Sequence, residues 1–305
     1  MKRKLIQMAG KTIVVSLPSE WVKKYGLKKG DEIDLEERDR SLLINTSKNI
    51  SIKKTVLDVR PLKVSGRRVM AALYKRGYDE IEVLYDKPQQ LDEIKKALNL
   101  EAMNFEIVEQ TKSHCIIKSI AEATHEEFDN ILRRTFLVLN SMIEEIQEGL
   151  ISKDKKKIEE AKEHENTNNK FTHFCRRSLN KRGYKNYEIT SIMYTIIEQL
   201  ENVADELKFL CDFLISEDLK KLKVSKETLD LLNDTKVYTN HFYELFYNFS
   251  LEKSEKFAEE RKKIIEASKK LFMEKSNKEV KIIHHLMNVT QRVFEMFGPF
   301  LATKL

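Results

Sequence analysis

Two groups of residues in this 305-residue chain have the types and spacing to do chemistry. The first is basic: Lys2, Arg3, Lys4 and Lys11 flank a short β-branched run, and Lys23, Lys24, Lys28 and Lys29 follow. Lysine and arginine neutralise backbone phosphates and supply most sequence-independent affinity for DNA. A plain solvated face is the ordinary alternative. The second group is acidic. Glu201 and Asp205 stand four apart in the helical stretch Leu200-Glu201-Asn202-Val203-Ala204-Asp205, so they share a helix face and could hold a cation together or stand as surface acids. Glu198 lies one turn earlier. On the preceding helical stretch, Glu165 and Asn168 occupy the inner stripe with Asn169 beside them, and a carboxylate in a helical seam needs a partner. His284 and His285 are adjacent, which points them to different helix faces. The row Tyr238, Phe242, Tyr243, Phe246, Tyr247 and Phe249 has the spacing of bundle core.

The elements that must position these groups fall into a basic, punctuated front and a long helical rear. Five of the eight glycines and three of the four prolines precede residue 119. In residues 1–47, Thr12 to Leu17 reads as a strand. Pro18 opens a helix over Ser19 to Tyr25, Gly26 stops it, and strands follow at Glu32–Glu36 and Ser41–Ile44. So few residues cannot bury an adequate core alone, and the simplest partner is a second copy. Residues 49–119 read as a small α/β module of βαβαββ order, with helices from Gly66 and Pro88 and strands near Glu80–Tyr85, Phe105–Val108 and Cys115–Ile117. A ferredoxin-like sheet is expected there. From residue 120 onward, 3/4 spacing of apolar residues marks six long helices. Residues 196–205 match residues 282–291 at five of ten positions with a constant offset of 86, which divides the helices into two three-helix bundles, 120–218 and 219–305.

Charge follows the same division. The net charge is +6, yet residues 1–118 hold 24 Lys+Arg against 17 Asp+Glu, while residues 119–305 hold 31 against 32. The positive excess lies at the extreme N-terminus, where residues 1–30 carry eight basic residues and one acid. No run approaches the roughly 18 apolar residues of a membrane span, and the basic start lacks the apolar stretch of a signal peptide. The three cysteines, Cys115, Cys175 and Cys211, lie far apart, which fits a reducing cytoplasm. No nucleophile–base arrangement, phosphate-cradling glycine loop or cofactor fingerprint occurs, so binding is expected rather than catalysis.

The run Gly10-Lys11-Thr12-Ile13-Val14-Val15-Ser16-Leu17-Pro18-Ser19-Glu20-Trp21-Val22-Lys23-Lys24-Tyr25-Gly26-Leu27-Lys28-Lys29-Gly30-Asp31 closely resembles the AbrB/SpoVT family of swapped-hairpin DNA-binding domains. The resemblance covers about 45 residues and implies an interlaced homodimer that sets basic residues against DNA. Lys4 and Lys11 match the family's basic positions beside the first strand, and Lys23 matches its basic helix. Lys2, Arg3 and Lys24 complete the expected DNA-binding set in residues 1–48. The stretch from Gly10 to Pro18 is about two residues longer than in the bacterial regulators, which would favour dimerisation over DNA contact.

Leu200 to Asp205, Glu165 to Asn169 and the tandem repeat together resemble the PhoU family of phosphate-uptake regulators over roughly residues 120–305. This resemblance implies an adaptor of phosphate transport, with a phosphate transporter or its signalling proteins as partners. It also implies a divalent or ferric ion in the first bundle, held by Glu165, Asn169, Glu201 and Asp205. Asn169 stands where the family has an aspartate, and the second repeat offers Met287 and Gln291 in place of Glu201 and Asp205. The alternative is an AbrB-type transcriptional regulator whose bundles sense a ligand or metal.

Overall fold

The computed structural model describes residues 2–8, 10–38, 41–46, 52–62, 65–121 and 124–305, and the chain divides into two units, Met1–Ile52 and Lys53–Leu305. The first unit is two hairpins around a short helix. β1 (Ile6–Met8) pairs antiparallel with β2 (Thr12–Val14), α1 spans Ser19–Lys24, and β3 (Ile33–Arg38) pairs antiparallel with β4 (Ser41–Thr46). Gly10, at φ +95°, makes the turn between β1 and β2, a conformation open to glycine and costly for other residues. β1 escapes a sequence reading because three residues hold too little alternation to register.

The second unit begins with β5 (Lys54–Asp58), α2 (Gly66–Lys75), β6 (Glu80–Leu84), α3 (Pro88–Glu101), β7 (Phe105–Gln110) and β8 (His114–Ser119). The βαβαββ order is as expected, but the sheet is not ferredoxin-like. Its strand order is β5-β6-β8-β7, with β5 and β6 parallel neighbours. A ferredoxin-like sheet splits its βαβ unit around another strand; here the closing β7–β8 hairpin adds to the far side of β6 instead. Leu57, Ile81, Val83, Cys115 and Ile117 form the inner face of the sheet, against Met70, Tyr74, Leu91, Ile94 and Leu98 of the two helices.

Six long helices follow: α4 (His125–Ser152), α5 (Lys155–Arg182), α6 (Thr190–Ser216), α7 (Lys226–Tyr247), α8 (Leu251–Glu274) and α9 (Asn277–Glu295), with a short α10 (Phe297–Leu301). Side-chain caps start five of them: Thr124, Asp154, Ser225, Ser250 and Ser276 each accept a hydrogen bond from a first-turn N–H. A 3-10 turn at Tyr187–Ile189 leads into α6.

The helices of the two repeats build one continuous apolar core, with no gap in packing at residues 218 and 219. α6 packs on α9 and α4 on α7. Asn140 donates to Asn240 at 3.1 Å and Arg133 to the Tyr243 hydroxyl at 3.0 Å, so α4 and α7 run antiparallel. Thr135 and Thr235, both fully buried, each donate to the carbonyl four residues back at 2.9 Å. Of the aromatic row, Tyr238 and Phe242 are buried in this core and Tyr243, Phe246 and Phe249 pack at its margin, while Tyr247 is exposed.

Candidate nucleic-acid interface and the ion-pair spine

Lys2, Arg3, Lys4, Lys11, Lys23, Lys24, Lys28 and Lys29 of the first unit all reach solvent. Lys2, Arg3 and Lys4 precede β1, Lys11 opens the turn into β2, and Lys23 and Lys24 occupy the last turn of α1. There they lie at the negative end of the helix dipole. Lys24 stands 5.3 Å from the Tyr25 ring, and Trp21 and Tyr25 pack at 5.4 Å. The acids of the unit gather elsewhere, at Asp31 and along β3. Asp31 accepts from the Lys28 backbone N–H at 2.8 Å, which closes the turn before β3.

The apolar residues of this unit are exposed as well. Leu5 is 72% exposed, Ile13 64%, Leu35 63% and Leu42 66%, and no described residue of the unit is buried. Isolated exposed leucines are ordinary in folded proteins, but a unit whose described residues are all exposed or at most half-buried has little core of its own.

In the second unit the four expected metal ligands come close together, but around the chain's own cations. Lys208 donates to Glu165 Oε1 at 2.8 Å, and the Asn169 amide donates to the same oxygen at 2.7 Å. Asp205 lies against this group. Burial, then the neighbouring Glu165 carboxylate, pushes its pKa above the ordinary aspartate range. One turn away, Glu201 pairs with Arg176, accepts from the Thr172 hydroxyl at 3.3 Å and stands 3.6 Å from His173 Nε2. Asn168 is fully buried, and neither polar atom of its side chain has a protein partner.

A hard cation takes about six or more oxygen ligands from carboxylates, carbonyls and waters, and its affinity depends on how many carboxylates are free to bind it. Glu165 and Glu201 each already carry a cationic partner, and Asn169 turns its NH2 group, not its oxygen, toward Glu165. Among the described residues no group of three or more His, Cys, Asp or Glu side chains is arranged to hold a metal ion. At the positions where a metal is expected, Lys208 pairs with Glu165 and Arg176 with Glu201, while Asp205 lies against Glu165.

The same face of α5 anchors the α/β module. Arg177 donates to the Tyr74 and Tyr78 carbonyls at 3.0 and 2.6 Å and to Asp79 Oδ1 at 2.7 Å, and Lys181 also pairs with Asp79. Its guanidinium lies 4.7 Å from the Phe105 ring. Burial opposes ionisation of Asp79, but hydrogen bonds from Lys181 and from the Lys53 N–H hold its pKa below the usual range. Gly77, at φ +88°, lets the turn approach: a Cβ there would lie 2.7 Å from Lys181 Cγ. At the end of α3, His173 Nδ1 meets Glu101 Oε2 at 3.0 Å, and Arg67 pairs with the same carboxylate. His173 thus sits between Glu101 of the module and Glu201 of the bundle.

Sequence reasoning missed this spine because its pairs join residues about a hundred positions apart. The available signal was Arg176 and Arg177 following directly on the polar stripe of α5. The adjacent histidines have partners too. His285 Nδ1 lies 2.7 Å from Glu206 Oε1, and Asn288 bridges Glu206 and His284 at 3.0 and 3.1 Å. The three cysteines are free and buried, and burial pushes Cys115 up to about 11. None is poised as a nucleophile.

Residues 6–53 match the family described as antidote-toxin recognition MazE, bacterial antitoxin. The match supports a swapped-hairpin domain of the AbrB/MazE kind, a DNA-binding type, for this segment. It includes Lys11, Lys23 and Lys24 and begins just after Lys4. No curated protein and no solved structure matches the chain. No described helix is long and apolar enough to cross a membrane.

Proposed function

We propose that this chain is a dimeric regulatory protein that binds DNA through residues 1–52 and presents its helical bundle to protein partners. The observation that carries the reading is the first unit itself: short strands with no buried residue, ringed by exposed lysines. A second copy supplies the missing core, and pairing doubles the basic surface. Domains of the AbrB/MazE kind typically dimerise and bind DNA, which supports both halves of this reading. The proposed contacts are Lys2, Arg3, Lys4, Lys11, Lys23 and Lys24.

By its resemblance to PhoU proteins, the bundle is the adaptor of a phosphate-uptake regulator in the cytoplasm, with a phosphate transporter or its signalling apparatus as partner. The six-helix repeat supports this reading; the ion pairs at Glu165 and Glu201 confine it to protein contact without a bound metal. Gel-shift titrations of the full chain at several salt concentrations test the DNA half. Binding should weaken steeply with salt, and a Lys4/Lys11/Lys23 triple alanine variant should flatten that slope by about three per copy, roughly one for each lost phosphate contact. Absence of binding at low salt, or an unchanged slope, refutes it. A pull-down from lysate tests the adaptor half by separating transporter proteins from promoter DNA.

A further inference from the structure

The sheet of the α/β module carries helices on one face only. Across its bare face the strand register sets Lys54, Glu80, Lys118 and Glu106 in one row, over β5, β6, β8 and β7 in turn. Lys54 and Lys118 share a single carboxylate, Glu80, at 3.0 and 3.2 Å. Glu106 forms no ion pair among the described residues. The row thus alternates in sign, with a lysine at the β5 edge and a glutamate at the β7 edge. The next row holds Val56, Glu82, Ile116 and Glu109, with Val108 the extra residue at the bulge of β7 beside Glu109. Val56 is 58% exposed and Val108 52%.

We propose that this face packs against the same face of a second copy, about a two-fold axis parallel to the strands and between β6 and β8. That operation reverses the row. Lys54 then faces the second copy's Glu106, Glu80 faces its Lys118, and each charge meets its opposite. Sheets pack about 10 Å apart, a gap that lysine and glutamate side chains bridge from both sides. Val56 comes to face the β7 bulge, Val108 with Glu109 beside it, at both rims. The other two-fold, perpendicular to the strands, sets Glu82 directly against Glu82, where like charges repel. Glu82 near the middle makes the contact a wet one, held at its edges by charge.

A small polar contact of this kind needs help, and the chain supplies it. Residues 47–53 alone separate β4 from β5, a tether of at most about 30 Å. Pairing of the first units, on which this proposal rests, then holds the two modules at an effective concentration in the millimolar range.

The test is a full chain carrying Val56→Cys and Val108→Cys, oxidised and run on a non-reducing gel; the three native cysteines are buried and do not compete. Most of the chain should become a covalent dimer. Adding Lys54→Glu should lower the yield at least tenfold, and adding Glu106→Lys to that chain should restore it. A dimer by light scattering that gives no covalent product overturns the sheet contact and leaves the first-unit dimer intact. Equal cross-linking by Val56→Cys alone overturns the axis. A monomer by light scattering overturns the first-unit dimer together with this contact.

Discussion

Asp79 is a single carboxylate with two cationic partners, Arg177 and Lys181, and all three side chains are mostly buried. Its removal leaves both cations desolvated without compensation, a loss typically of 3–5 kcal/mol for a broken buried pair. Asp79→Asn should therefore lower the urea-unfolding free energy of the second unit by about 3 kcal/mol. A loss below about 1 kcal/mol would mean that the Tyr74 and Tyr78 carbonyls alone suffice for Arg177. Asp205 presents the opposite case. Because burial and Glu165 raise its pKa, its charge is unfavourable in the folded chain. Asp205→Asn should raise the melting temperature at pH 7. Glu165→Gln should lower it, since Lys208 then loses its carboxylate. Thermal melts of the two variants side by side check the opposite signs.

At the scale of elements, α5 does two jobs: it contributes to the bundle core and it fastens the module through His173, Arg177 and Lys181. His173 faces Glu101 and Glu201, with Lys75 and Arg176 as the nearby cations. Burial first, then these cations, lowers its pKa despite the opposing pull of Glu101. The unfolded chain then takes up a proton more readily than the folded one. Stability is full above the unperturbed imidazole value of 6.5 and declines as pH falls below it. Glu101 adds a second stage. Burial works against its charge, but His173 and Arg67 hold its pKa below the ordinary 4.5, so its contribution is lost only as pH falls through that lowered value. The urea midpoint should drop in two steps, one beginning as pH falls below 6.5 and one below 4.5, and His173→Gln should abolish the upper step; identical curves would remove His173 from the account.

The six helices are legible in the sequence because apolar spacing and Ser, Thr or Asp caps agree at most boundaries. The module's strand order is not legible, since local patterning carries no information on which side of β6 the last hairpin will add. The carboxylates of Glu165 and Glu201 could be picked out from their spacing, but Lys208 and Arg176 opposite them could not. A charge in a helical seam announces that it needs a partner without saying which one. The basic first unit was the most readable region, because its strand, proline, helix and Gly-Leu order is local.

The whole molecule joins a unit without a core to a unit with an extensive one, and their unfolding should differ accordingly. If pairing stabilises residues 1–52, their melting midpoint rises with protein concentration, whereas the midpoint of residues 53–305 does not depend on that pairing in the same way. Calorimetry of the full chain over a hundredfold range of concentration should show one transition that moves more than the other. Two transitions that stay fixed would mean that the first unit stands alone. The shared bundle core has a different consequence, set by time. During synthesis α6 is finished at Ser216, but α9, against which one side of it packs, is complete only at Glu295. At about 5–20 residues per second that interval lasts roughly 4 to 16 s. For those seconds each nascent chain on a crowded polysome carries an uncovered greasy stripe, next to neighbours carrying the same one.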